Sequence, residues 1–241
     1  MTALMTDQGA TEHQDLLIAE RFGPTMQGEG PSSGVPAIFV RLSRCNLSCG
    51  FCDTPFTWDS TRFDLRDESA RMAVAEVTAW ALASGVELIV ITGGEPLLQQ
   101  QALIPLVSAL VQAGRRVEIE TNGTVLPHLR LLVDGVRFNV SPKLANARLP
   151  QSRRIVPEAL AALTASGRAV FKFVAERVAD LEEIDHLQQR FALREVWVMP
   201  EGTTPEQIID RARRLAEAVI ARGWSLSLRT HVLLWGDERG R

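Results

Sequence analysis

Three thiols fall within eight residues, as Cys45-Asn-Leu-Ser-Cys49-Gly-Phe-Cys52, and they are the only cysteines of the chain. Disulfides between such close neighbours would close tiny loops and constrain almost nothing. An odd count packed this tightly is a poor disulfide framework and a good ligand set. Three thiolates on one short loop suit three corners of an iron–sulfur cluster. Full ligation needs four, so one iron would stay open to chelate a small molecule. The alternatives are three unrelated thiols or a structural zinc, which normally takes four protein ligands. A zinc would have to recruit His13, His128, His186 or His231, all distant in sequence. A second motif, Thr92-Gly93-Gly94-Glu95-Pro96, combines two glycines that admit close backbone approach with a carboxylate able to hold an ammonium group. On its own it also reads as a strand-to-helix turn with proline at the helix start.

Composition bounds what surrounds these motifs. The chain has 241 residues, 46% of them apolar, with 26 basic against 29 acidic side chains and a formal net charge of −3. A chain this long buries roughly 70–75% of its unfolded surface, enough for a core without staples. The charge balance argues against a nucleic-acid-coating protein, and no run of about 18 apolar residues predicts a membrane span. The first fourteen residues are polar, without a basic-then-apolar signal pattern. Residues 1–20 are expected to be a disordered or extended leader, residues 21–241 a single domain, and the location cytoplasmic.

Strand-length apolar runs alternate with helix-period stretches. Ile38–Leu42, Val86–Ile91, Arg116–Glu120, Val136–Val140, Ala169–Val174 and Glu195–Met199 read as strands. Helices are expected over Glu68–Ser84, Leu97–Ala113, Pro157–Ser166 and Val178–Phe191, with a short one over Leu126–Val133. The last helix is best marked: Thr204 caps it, Pro205 takes its first position, Gln207 completes a capping box, and Gly223 ends it. Ala145–Val156 reads as a polar surface loop and Trp224–Trp235 as a final strand or extended tail. Strict β–α alternation predicts an α/β fold with a parallel sheet and right-handed crossovers. Six or seven units fall short of the eight of a closed barrel, so an open, partial barrel is expected, with a doubly wound sheet as the alternative. The cysteines, Thr92–Pro96, Thr121–Thr124, Ser141–Lys143 and Met199–Gly202 each follow a predicted strand. A parallel sheet brings all of them to its carboxyl edge, where such proteins bind ligands.

CxxxCxxC with a Gly-Gly-Glu-Pro after the next strand resembles the radical S-adenosylmethionine (SAM) superfamily. Gln27-Gly-Glu-Gly-Pro31, Gly34–Arg41, Cys52-Asp-Thr54, Ser141-Pro-Lys143 and Thr230-His231 are similar to the 7-carboxy-7-deazaguanine synthase family, from about Phe22 to His231. The resemblance implies a partial barrel, a homodimer, and conversion of 6-carboxy-5,6,7,8-tetrahydropterin to 7-carboxy-7-deazaguanine with loss of ammonia, a carbon–nitrogen lyase step in 7-deazapurine (queuosine) biosynthesis. It implies a 4Fe–4S cluster on Cys45, Cys49 and Cys52, which cleaves SAM to a radical, so that no side chain is itself the catalyst. It implies that SAM meets Gly94, Glu95 through its amino group, Ser141, Pro142, Lys143 and Met199. The substrate would meet Met26, Gln27, Gly28, Glu29, Thr92, His231 and Arg41, whose planar fork suits a carboxylate. Thr54 would offer its hydroxyl to Mg²⁺, a hard ion that keeps waters and substrate oxygens.

Lys172 either points to the site or snorkels to a strand end. Glu120 and Asn122 either line the pocket or make the turn, and Arg211, Arg213 and Arg214 read as a solvated helix face. Arg44 stands where many relatives have glycine. The chain runs on past His231 to Arg241, so the substrate contact that a terminal carboxylate makes in some members does not carry over. Flavodoxin or ferredoxin is the expected electron donor, with no nucleic-acid or membrane partner. Competing functions are a glycyl-radical activase or other radical SAM enzyme, and a non-catalytic iron–sulfur or zinc regulator.

Overall fold

The computed structural model describes residues 15–241. Among the described residues nine strands form one open sheet: β1 (Asp15–Met26), β2 (Pro36–Leu42), β3 (Ala70–Ala73), β4 (Leu88–Gly93), β5 (Arg116–Thr121), β6 (Val136–Val140), β7 (Ala169–Ala175), β8 (Val196–Pro200) and β9 (Ser225–Leu226). Their order is β3-β1-β2-β4-β5-β6-β7-β8-β9. From β2 to β9 every pairing is parallel, whereas β1 runs antiparallel to both β2 and β3. The seven parallel strands are the open partial barrel expected from the alternation, extended at one edge by an antiparallel pair.

That edge pair departs from the expected elements. Residues 15–20, assigned to a leader, are the first half of β1, and residues 1–14 lie outside the described residues. Leu16 and Ile18 are fully or nearly fully buried, but Asp15, Glu20, Arg21 and the Gly23-Pro24 pair interrupt the run, so β1 shows only a weak apolar signal. The expected helix at Glu68–Ser84 begins instead with β3, followed by α1 (Val74–Ala83). The helix expected at Leu126–Val133 is a single 3-10 turn, Leu129–Leu131. Within the expected loop at Ala145–Val156 a short helix α3 (Gln151–Arg154) forms. It is held by buried Arg154, which donates to Lys143 O at 2.9 Å and Glu183 Oε1 at 2.5 Å. Trp224–Trp235 is corrected most: only Ser225–Leu226 is strand, and Thr230–Trp235 is a helix, α7.

Crossover helices α2 (Gln100–Gln112), α4 (Pro157–Ala165), α5 (Asp180–Phe191) and α6 (Pro205–Ala221) accompany the parallel strands. Thr204 caps α6 by accepting from Gln207 N at 3.3 Å, and Gln207 Oε1 reaches back to Thr203 N at 3.0 Å. Strand alternation sorts the core into two sides. Ile38, Val40, Leu42, Ile89 and Ile91 join the main core with residues of the helices. Ala37, Phe39, Leu88 and Val90 form a second, smaller cluster. Two residues beyond it in the same alternation stand Arg41 and Thr92, paired in register across β2 and β4. The same side of the sheet is thus apolar below and polar at its carboxyl edge.

The strands exit β2 and β4 in very close contact. Gly94 N donates to Leu42 O at 3.0 Å, and Glu95 N to Arg44 O at 2.8 Å. A Cβ on Gly93, whose φ is +138°, would lie 2.1 Å from Leu42 O, and one on Gly94 would lie 2.0 Å from Arg44 O. Both obstacles are backbone, so neither can yield without moving a strand. Replacing Gly93 by Ala is expected to destabilise the fold by about 2–5 kcal/mol, combining strain with overpacking. A urea midpoint indistinguishable from the parent's would show that this contact is looser than described.

Candidate active site

The polar edge opens into one cavity of about 280 Å³. Cys45, Cys49 and Cys52, all half-buried, face it from the loop after β2. Donors approach the sulfurs: Leu47 N is 3.4 Å from Cys45 Sγ, and Trp58 Nε1 is 3.2 Å from Cys52 Sγ. N–H groups aimed at sulfur tune a bound cluster's charge and potential. Burial is the main cause pushing the Cys45 thiol up to about 11, with the neighbouring Glu95, Cys49 and Cys52 charges adding to it. Cys49 is raised chiefly by burial too, against the pull of Lys143. Cys45 and Cys49 therefore feel their neighbouring sulfurs across a shared space, and burial holds protons on these two until a metal displaces them. With no other cysteine in the chain, this donor set fits a 4Fe–4S cluster with one iron left without a thiolate.

Next to the cysteines lie Gly93, Gly94, Ser141, Lys143, Met199, Glu201, Gly202 and Thr203, all lining the cavity. Lys143 Nζ donates to Ser141 Oγ at 3.0 Å. Pro142 is buried beside them. Glu95 behaves differently from the expectation that it receives the amino group of SAM. Its side chain is fully buried, and its oxygens accept from Leu97 N at 3.0 Å, Thr121 Oγ1 at 2.8 Å and Asn122 N at 2.7 Å. Burial raises its pKa, opposed by those donors. Its carboxylate ties the glycine turn to the end of β5, so the turn presents its backbone, and not this side chain, to the cavity. Asn122 continues the frame, donating to Asn46 Oδ1 at 3.0 Å beside Cys45. Arg44 takes φ +81° just before the cysteines, a conformation that glycine adopts without strain.

The far wall is densely charged. Met26 ends β1, Gln27, Gly28 and Glu29 follow it, and Arg41, Thr92, Glu120 and Asn139 come from strands adjacent in the sheet. Glu120 joins two of these groups, accepting from Gln27 Nε2 at 3.2 Å and Thr92 Oγ1 at 2.8 Å. Glu29 sits between two cations, bonding Lys172 Nζ through Oε2 and Arg229 Nε through Oε1 at 3.1 Å. Burial pushes its pKa up, but the charges of Lys172, Arg229 and His231 outweigh that and hold it well below the usual carboxylate range. Arg229 also donates to Asp53 Oδ2 at 2.5 Å and Gly202 O at 2.8 Å. It therefore joins the loop after β1, the cysteine loop and the loop after β8. His231 packs so closely on Gly28 that a Cβ there would fall 1.9 Å from Nδ1. Burial lowers its pKa, against the pull of Glu29.

The fold thus brings together Met26, Gln27, Gly28, Glu29, Arg41, the three cysteines, Thr54, Thr92, Gly94, Ser141, Lys143, Met199 and His231 around one cavity. Lys172 points into the site, and Glu120 and Asn122 line it. Arg211 is not part of a solvated face: it is bonded to Glu201 through the carboxylate and through O at 2.6 Å. Arg213 and Arg214 are exposed. Sequence reasoning missed Arg229 and Asp53. The available signal was a single cation in the otherwise uncharged run Trp224–Trp235, unexplained by an apolar strand. It also missed Asp237–Arg241, which line the mouth of the cavity.

The sequence profile of the radical SAM superfamily matches residues 40–226. A protein of Pyrobaculum aerophilum named 7-carboxy-7-deazaguanine synthase is 35% identical over 224 residues, covering 90% of this chain and 94% of its own. The protein of that name from Escherichia coli strain K12 is 34% identical over 227 residues, covering 87% and 94%. The crystal structure of QueE from Escherichia coli superposes with a TM-score of 0.72 at 32% identity, over 91% of this chain and 96% of that one. With three thiols facing one cavity at the sheet's carboxyl edge, and likeness spanning nearly the whole chain, this protein belongs to the 7-carboxy-7-deazaguanine synthase family of the radical SAM superfamily.

Proposed function

We propose that the chain converts 6-carboxy-5,6,7,8-tetrahydropterin to 7-carboxy-7-deazaguanine with release of ammonia, as a carbon–nitrogen lyase of queuosine biosynthesis. The observation that supports this best is that the cysteine loop and the charged wall line one and the same cavity. Cys45, Cys49 and Cys52 would hold a 4Fe–4S cluster, which with bound SAM would supply the one-electron chemistry that takes hydrogen from the pterin ring. The chain's own work is to bind, orient and exclude water.

Backbone at Gly93–Gly94, with Ser141, Lys143 and Met199, forms the SAM side. Gln27 and Glu29 supply an amide and a carboxylate that match the alternating donors and acceptors of a pterin edge. Lys172 and Arg229 keep Glu29 ionised, hence an acceptor. Arg41 offers its guanidinium to the substrate carboxylate, and Thr92 and His231 close the same wall. Thr54 lies 3.8 Å from Cys52 through its hydroxyl and lines the cavity between cluster loop and charged wall. A neutral hydroxyl there would suit Mg²⁺, a hard ion that takes oxygen ligands. The one-electron step needs a reductant, for which we assign a flavodoxin or ferredoxin. A homodimer in the cytoplasm completes the reading, and no described helix is long and apolar enough to cross a membrane.

The direct test is anaerobic reconstitution with iron and sulfide, then reduction with SAM and the carboxy-tetrahydropterin. 5′-Deoxyadenosine and a deazapurine are the expected products, and Cys49→Ala is expected to abolish both. 5′-Deoxyadenosine without pterin turnover would instead indicate another radical SAM activity, and neither product would exclude the class.

The Glu29 wall gives a second expectation. Lys172→Met removes one of two counterions from a buried carboxylate, which costs about 3–5 kcal/mol when nothing else compensates and less with Arg229 in place. Glu29 has its pKa lowered in the folded state, so the pairing stabilises the fold above the unfolded carboxylate range and is lost as pH falls. The urea-midpoint gap between parent and Lys172→Met is therefore expected to hold from pH 7 down to about pH 5 and to narrow below that, as pH falls through the unfolded carboxylate range toward about pH 2. A gap that stays constant would mean that Glu29 is not the group Lys172 serves.

A further inference from the structure

The last residues of the chain fold back over the cavity mouth. Gly236, at φ +73°, turns the chain out of α7, and Asp237–Arg241 then line the opening. Arg239 is anchored three ways. Its guanidinium lies 3.8 Å from the centre of the Phe56 ring. Its Nε donates to Glu20 Oε2 at 2.8 Å, and its Nη1 to Glu68 Oε2 at 2.9 Å. Glu20 is the cross-strand neighbour of Arg41, and its other oxygen, Oε1, accepts from Arg41 Nε at 2.6 Å. One carboxylate is thus divided between two guanidiniums, one from the tail and one from the charged wall.

This division matters for Arg41. A carboxylate and a guanidinium left to themselves form a two-bond fork. Glu20 in that fork would neutralise Arg41 and compete with any incoming carboxylate. With Oε2 committed to Arg239, Glu20 holds Arg41 by Nε alone. Among the described residues the terminal nitrogens of Arg41 then have no other hydrogen-bond partner. Glu68 balances the charge that Arg239 brings. Phe22, beneath Arg41 at 5.6 Å and stacked on Phe39 at 4.8 Å, supports the guanidinium from its other side.

We propose that Arg239 is a positioning residue for substrate selection: through Glu20 it keeps the fork of Arg41 free for a ligand carboxylate. The proposal rests on the reading of Arg41 as the carboxylate contact. The test is equilibrium binding to the reconstituted protein of two stable probes, 6-carboxypterin and pterin, which differ by the carboxylate. Arg239→Ala is expected to weaken 6-carboxypterin roughly tenfold, the scale of a compromised hydrogen bond to a charged group. Pterin is expected to bind unchanged within about twofold, because the lost term concerns only the carboxylate. Removal of residues 237–241 is expected to act alike, and Arg239→Lys, which keeps charge but not the fork, to fall between. Should Arg239→Ala melt at lower temperature, Arg239→Lys and Glu68→Gln supply the comparison. Equal weakening of both probes, or of neither, overturns the proposal. Arg41→Lys separates the two ideas: if it leaves the preference for 6-carboxypterin intact, the reading of Arg41 fails. If it abolishes the preference while Arg239→Ala retains it, only the role of Arg239 fails.

Discussion

Backbone meets backbone where β2 and β4 leave the sheet, and the site is organised around that contact. Gly93 and Gly94 lie against Leu42 and Arg44 with no room for a Cβ. Hydrogen bonds from Gly94 N and Glu95 N then fix the start of the cysteine loop against the glycine turn. Glu95 extends the tie to β5 through Thr121 and Asn122, and Asn122 returns it to Asn46 in the cysteine loop. The sulfurs are therefore held by a closed ring of contacts among three strand ends. A buried carboxylate with every oxygen satisfied is well suited to such a frame, since the cost of burying it is offset only in one geometry.

The charged wall solves another problem, that of gathering charge largely away from water. Glu29, Lys172, Arg229 and Asp53 form an alternating chain, and Glu20 is shared in the same manner by Arg41 and Arg239. Such pairs, buried at Glu29 and Lys172 and open to solvent at Asp53 and Arg239, add little net stability, because desolvation or screening offsets the attraction. What they supply is orientation. Both oxygens of Glu29 and both of Glu20 are assigned, so the terminal nitrogens of Arg41 are left with spare capacity at the cavity. The arrangement is preorganised for a polar, carboxylate-bearing ring.

Much of this was legible in the sequence because the elements that carry it are strongly patterned. Buried parallel strands such as Leu88–Gly93 and Ala169–Ala175 are nearly unbroken apolar runs, and α6 carries its own start and stop residues. The cysteines and the glycine turn are short motifs with fixed spacing. What escaped was material whose structure comes from its partners. β1 is a mixed run stabilised by pairing on both edges, and β3 is a strand only because β1 lies beside it. α7 reads as an apolar extended tail until the docking of Thr230 N on Gly28 O is seen. Glu95 illustrates the limit for the site itself: the motif located it correctly, but only the depth of its burial distinguishes a ligand contact from a brace. Arg229 and Arg239 lie far along the chain from the carboxylates they hold, and no local pattern announces such a pairing.

The site as built requires the three sulfurs to hold a four-iron cluster with one iron available to SAM. Mössbauer spectroscopy of ⁵⁷Fe-reconstituted protein, recorded before and after adding SAM, tests it most directly. The account predicts a cubane spectrum in which a single iron site changes its isomer shift when SAM binds, while the others keep theirs. A spectrum unchanged by SAM, or iron bound outside any four-iron cluster, would contradict it.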